Sequence, residues 1–191
     1  MNLDEDTNYI ILGLERSGTS MLMQILRAGD MPISHDDSRP ADDSNPKGYY
    51  ELAGGKIISK LMDGSFPIKD HKGKFIKVTS FGLKYLPPGK YKIIYSERNI
   101  EEILDSMEKM IGEKDPSRED TKMSFAKLNN MIKEYAQDRE DMDILFINYN
   151  NILSDPRENI SKILKFLNAP NNLLDKMTET VDSKLYRQRR T

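Results

Sequence analysis

Cysteine and tryptophan are both absent from this chain of 191 residues. Without thiols there can be no disulfide framework, no thiolate metal site and no cysteine nucleophile. Histidine occurs twice, as His35 and His71, and neither stands at metal-ligand spacing from another ligand. The acidic stretch near Asp36 lacks an EF-hand pattern, so no metal requirement is expected. No apolar run approaches the ~18 residues of a membrane span. The opening residues, Met1 to Asp6, lack the basic and apolar regions of a signal peptide, which makes the cytoplasm the expected compartment. Charge of one sign is lacking too: 29 Lys and Arg face 31 Asp and Glu, for a net charge of −2. That balance does not supply the field of a nucleic-acid or membrane-surface binder. The length is ample for one core and short for two, so one domain over residues 1–191 is expected.

What is present alternates. Thr7 to Leu12, Lys74 to Val78, Lys92 to Tyr95 and Ile144 to Tyr149 read as strands. Thr19 to Arg27, Leu52 to Met62, a segment starting near Asn99, Asp120 to Gln137 and the segment after Asp155 read as helices. Asp155, Pro156 and Glu158 form a capping-box start for the last of these. Alternation of this kind predicts an α/β fold with three layers, a central parallel sheet covered by helices on both faces. Residues 34–50 form a polar, acidic loop, expected to be mobile and to lie over the site. Residues 184–191 form a basic tail.

The first strand runs directly into a turn bracketed by Gly13 and Gly18, and the turn opens a helix. Helix-start N–H groups have no intrahelical partners, and with the helix dipole they make an anion site. Ser17, Thr19 and Ser20 add hydroxyls, Arg16 adds a fixed cation, and Gly18 permits close backbone approach. Gly13 and Gly18 keep the spacing of an ATP-type phosphate loop, but Thr19 stands where that loop has Lys. This argues against γ-phosphoryl transfer, because the Lys normally reaches the β- and γ-phosphates. The alternative is an ordinary Gly-rich corner.

Leu14 to Leu22 (Leu-Glu-Arg-Ser-Gly-Thr-Ser-Met-Leu) resembles the 5′-phosphosulfate loop of the sulfotransferases that use 3′-phosphoadenosine 5′-phosphosulfate (PAPS). A second segment, Tyr91 to Met107, resembles that family's 3′-phosphate site: a strand ends in Arg98, and Ser106 follows eight residues later on the next helix. Read from its surroundings alone, Arg98 could equally form a surface ion pair with Glu97, Glu101 or Glu102. Asn45 to Glu51 (Asn-Pro-Lys-Gly-Tyr-Tyr-Glu) resembles an acceptor-side segment of bacterial members. Ile144 to Tyr149 and the helix after Asp155 resemble the family's Tyr-Glu-x-Leu strand and following helix, with Asn150 in place of the Glu.

The resemblance implies a phosphate-loop fold with PAPS as cosubstrate, 3′,5′-ADP as product and no metal. It implies that Arg16 and the loop Gly13, Ser17, Gly18, Thr19 and Ser20 hold the leaving phosphate, and that Arg98 and Ser106 anchor the 3′-phosphate. Lys77 aligns with a second cation near the transferred group, with a solvated edge lysine as its alternative. The family's cytosolic members carry a His two residues after that Lys; here the position is Thr79. Glu51 is then the first choice for the base, with His35 and His71 behind it. Tyr149 could lie near the adenine, and Arg187, with Arg189 and Arg190, could close over the 3′-phosphate. The expected acceptor is a small molecule or carbohydrate, with no nucleic acid or membrane partner. A nucleotide or small-molecule kinase and a non-catalytic nucleotide-binding homologue are the alternatives.

Overall fold

In a computed structural model that describes residues 3–36, 38–42, 45–182 and 184, the four expected strands form one sheet. They are β1 (Asn8–Gly13), β2 (Phe75–Thr79), β3 (Tyr91–Glu97) and β4 (Met142–Asn148), all parallel, in the order β2-β1-β3-β4. β1 has a neighbour on each side and is buried along its whole length. This is why its sequence is a continuous apolar run rather than an alternating one. Its odd residues Tyr9 and Ile11 join one core, with Phe75, Ile94 and Ile147; its even residues Ile10 and Leu12 join a second, with Ile76, Val78, Ile93 and Tyr95. The two-residue period of a strand therefore divides one run of sequence between two cores.

The helices are α1 (Thr19–Ala28), α2 (Ile57–Met62), α3 (Ile100–Ile111), α4 (Arg118–Asp138), α5 (Tyr149–Ser154), α6 (Pro156–Phe166) and α7 (Leu174–Glu179). α1, α5, α6 and α7 bury Leu22, Leu26, Ile152, Ile160, Ile163 and Met177 in the first core. α2 and α4 bury Ile57, Leu61 and Ile132 in the second. The sheet is thus covered on both faces, as the alternation requires. Asn99 caps α3 by accepting from the Glu101 N–H at 2.9 Å, and Asp155 caps α6 by accepting from Glu158 N–H at 3.0 Å. The Glu158 carboxylate pairs with Lys162 at 2.7 Å.

Two boundaries differ from expectation. The helix expected over Leu52 to Met62 is broken into a 3₁₀ turn at Ala53–Gly55 and α2, because Ala53, Gly54 and Gly55 all take positive φ (55°, 61° and 80°). A right-handed helix cannot pass through three such residues. Tyr149, expected to end β4, instead starts α5, where the Asn148 side chain accepts from the Asn150 and Asn151 N–H groups. No helix among the described residues is long and apolar enough to cross a membrane.

Candidate active site

The chain leaves β1, returns on one side as β2, then crosses to the other side as β3. The carboxyl end of β1 is therefore a topological switch point, where open α/β sheets form a ligand crevice. The loop from Leu14 to Gly18 lies there and lines a cavity of about 470 Å³. Arg16 has φ 64° and Gly18 φ 100°, two left-handed turns that bend the loop back on itself ahead of α1. The need for glycine at 18 is steric as well as torsional. A Cβ there would lie 2.2 Å from Cδ2 of Tyr149, whose ring covers the loop. No side chain caps α1, so its first N–H groups face the loop. Ser17 is fully buried, and its Oγ has no hydrogen-bond partner among the described residues. Ser17 does not line the cavity; its hydroxyl is packed against Gly13 at the end of β1, and the groups that face the cavity are Arg16, Gly18, Thr19 and Ser20.

Opposite the loop, the corner between β3 and α3 presents Arg98 and Ser106. The two halves are bonded together. Ser96 Oγ donates to the Ser17 carbonyl at 2.7 Å, and Arg98 Nη1 donates to the Arg16 carbonyl at 2.9 Å. The Arg16 side chain reaches across to α3, where its Nε donates to Ser106 Oγ at 3.0 Å. Arg98 stacks over the Tyr149 ring at 4.6 Å from its centroid. The ion pair weighed for Arg98 does form, with Glu102 at 3.1 Å, but it is buried rather than on the surface: the two side chains are 7% and 1% exposed.

The third wall comes from residues 45–52 and β2. Lys77 Nζ pairs with Glu51 Oε1 at 2.9 Å and donates to the Tyr49 carbonyl at 2.6 Å and to Ser20 Oγ at 3.3 Å. Only 8% of the Lys77 side chain is exposed, so it is no solvated edge lysine. Burial pushes its ammonium below the usual lysine range, and the Glu51 carboxylate pulls it part of the way back. Arg39 holds Glu51 from the other side, with Nη1 at 3.0 and 3.1 Å from the two carboxylate oxygens. It also lies over the Tyr49 ring at 3.6 Å. The Tyr49 hydroxyl donates to Asp42 at 2.8 Å; burial first, then Asp42, raises its pKa.

Of the residues singled out in the sequence, Arg16, Gly18, Thr19, Ser20, Glu51, Lys77, Arg98, Ser106 and Tyr149 line this one cavity, and Thr79 lines it too. Gly13 and Ser17 lie directly behind the loop, at the end of β1 and inside the turn. His35 and His71 do not line it. His35 packs edge-on to Tyr50, and His71 stacks on Phe66 and shares a 2.7 Å hydrogen bond with Ser34. Arg187, with Arg189 and Arg190, lies outside the described residues. Arg39 is a further residue of this site that the sequence did not single out, although it is the sole Lys or Arg between positions 34 and 46, amid acids. Among the described residues no cluster of three or more His, Asp or Glu could hold a metal ion.

A Gly-bracketed loop at a switch point, faced by a second basic corner, gives this α/β chain a crevice lined with anion-binding groups. The family model described as Sulfotransferase domain matches residues 6–190, and the chain belongs to that family. Among solved structures, it is similar to the sulfotransferase domain of the Synechococcus PCC 7002 olefin synthase, at 18% identity and a TM-score of 0.58, over 97% of this chain and 84% of that one. It is also similar to retinol dehydratase in complex with androsterone and the inactive cofactor PAP (18% identity, TM-score 0.59), over 97% of this chain and 66% of that one. A mouse sulfotransferase complexed with PAP matches at 16% identity and a TM-score of 0.57, with 97% and 66% covered. At these identities the structural likeness establishes the fold. No curated protein matches the chain by sequence.

Proposed function

We propose that this protein transfers a sulfuryl group from PAPS to a hydroxyl or amine of a small-molecule or carbohydrate acceptor, acting as one domain over its whole length. A cytoplasmic location is part of the same proposal. The observation that carries it is the pairing of two donor-rich elements across one cavity: the 13–20 loop, which presents Arg16, Gly18, Thr19 and Ser20, and the Arg98–Ser106 corner. A nucleotide with phosphates at both the 5′ and 3′ positions matches this layout. PAP in the retinol dehydratase and mouse complexes supports the same donor class.

In the transfer, an acceptor oxygen or nitrogen bonds to sulfur as the bond from sulfur to the 5′-phosphate oxygen breaks. Negative charge grows on that phosphate, and preorganised donors and cations lower its energy. The loop N–H groups, Arg16 and Lys77 supply them in this reading. Arg16 cannot usefully donate a proton, so its part is electrostatic. The acceptor proton passes to Glu51, the carboxylate on the acceptor-side wall. A non-catalytic homologue is the second reading, favoured by Thr79 at the position of the family's His.

Calorimetric titration with 3′,5′-ADP, ATP and 5′-AMP tests the donor class. Selective 3′,5′-ADP binding that Arg98→Ala abolishes is the expected result; a preference for ATP would return the kinase reading. A second prediction concerns pH. Burial lowers the Lys77 pKa, so below the ordinary value of 10.5 the native state already holds fewer protons at this site than the unfolded chain. Stability therefore gains a contribution that rises with pH between the lowered value and 10.5. Turnover, which needs the cation, falls through the same window. Lys77→Arg should move that alkaline limb upward. An unmoved limb would remove Lys77 from the chemistry.

A further inference from the structure

The Arg98 corner contains a buried carboxylate that the mechanism above does not use. Glu102 is 1% exposed. It accepts from Arg98 Nε at 3.1 Å, and it also accepts from the Asn150 amide, whose Nδ2 lies 3.2 and 3.3 Å from its two oxygens. Glu102 comes from α3 and Asn150 from α5, so the contact ties two helices to the residue that follows β3. Position 150 is where the resemblance to the family leads one to expect Glu, and the structure shows why Asn suits this chain. A carboxylate at 150 would stand at contact distance from the buried Glu102 carboxylate, where like charges repel strongly. Arg98 with one carboxylate is a neutral pair; a second carboxylate beside it would add negative charge to the wall where the 3′-phosphate is proposed to bind.

We infer that Glu102 and Asn150 are one positioning unit for Arg98, in which the carboxylate sits on α3 and the neutral amide on α5. Glu102 fixes the Nε edge of the guanidinium, and the Asn150 amide holds the Glu102 carboxylate in place. The guanidinium plane then stays on the Tyr149 ring with Nη1 on the Arg16 carbonyl, and so keeps its place on the cavity wall. Neither Glu102 nor Asn150 touches the nucleotide. They act through Arg98, and their effect is largest for a ligand carrying a 3′-phosphate. This inference rests on the donor reading.

A charge-swap experiment tests it. Affinities for 3′,5′-ADP and 5′-AMP are measured by calorimetry on wild type, Glu102→Gln, Asn150→Glu and the double variant, with melting temperatures alongside. Each single change should weaken 3′,5′-ADP by about tenfold, the scale of a charge-assisted hydrogen bond, and 5′-AMP by much less. Asn150→Glu should recover as pH falls and one of its two carboxylates protonates. The double variant, with the carboxylate relocated to residue 150, should return to within about threefold of wild type, a strong coupling between the two sites. Additive losses in the double variant, or equal losses for the two ligands, would overturn the positioning role and leave a purely structural one. Failure of the wild type to bind 3′,5′-ADP at all would overturn the donor reading, and the inference with it.

Discussion

Arg16→Ala is expected to cut turnover by about two to three orders of magnitude, the scale seen when one preorganised donor is removed from a developing anion. Affinity for 3′,5′-ADP should fall by only about threefold. Turnover is read as 3′,5′-ADP released from PAPS, with a screened acceptor or, failing one, with water. The split between the two readouts separates charge stabilisation in the transition state from ordinary binding. Alanine is the right replacement because the backbone at 16 already sits at φ 64°, and alanine keeps that left-handed turn while deleting only the side chain. Arg16→Lys should recover part of the loss: it restores a cation but not the planar fork that now reaches Ser106. If turnover and affinity fell together, Arg16 would be a binding residue only.

The second large effect is on the fold of the loop itself. Gly18→Ala should cost about 3 kcal/mol, combining left-handed strain with overpacking against the Tyr149 ring. In a chain of this size that corresponds to a melting temperature lower by about 6–12 °C. The two contributions can be separated, since the clash is with a side chain at 2.2 Å and the strain resides in the backbone. In a Tyr149→Ala background the added cost of Gly18→Ala should shrink to the strain alone, about 1–2 kcal/mol. An undiminished cost in that background would mean that the ring does not set the loop's shape. Donor binding should fail in Gly18→Ala even at temperatures where the variant remains folded, because the loop must shift away from the ring.

Much of this site was legible in the sequence because its parts are local. The loop between Gly13 and Gly18 declares itself through strand, turn and helix in consecutive residues. Arg98 and Ser106 are eight apart on one strand-to-helix corner. In the structure both line the cavity. The helix over Leu52 to Met62 was misjudged for a physical reason. Its apolar spacing is helical, but periodicity does not report φ, and Ala53 takes φ 55° without any glycine signal of its own. Tyr149 closes the apolar run from Ile144 and stands where the family's strand ends in Tyr; the Asn148 cap, a contact between neighbours, starts a helix there instead.

The long-range pairings were out of reach. Glu51 could be named as an acid near the acceptor segment, but not as a carboxylate shared between Lys77 and Arg39, which lie 26 residues after it and 12 before it. Glu102 could be named as a partner of Arg98 by its i,i+4 spacing, yet nothing local said that the pair is buried or that Asn150 completes it. Hydrophobic period, glycine placement and helix caps act within a few residues, so the chain's order of strands and helices, its Gly-bracketed loop and its family likeness were determined by sequence alone. Which charges meet, and how far each is removed from water, depends on surfaces that parallel strand pairing brings together from distant segments. That was decided only by the tertiary structure, because the energy of a charge is set by its partners and its solvent exposure rather than by its neighbours along the chain.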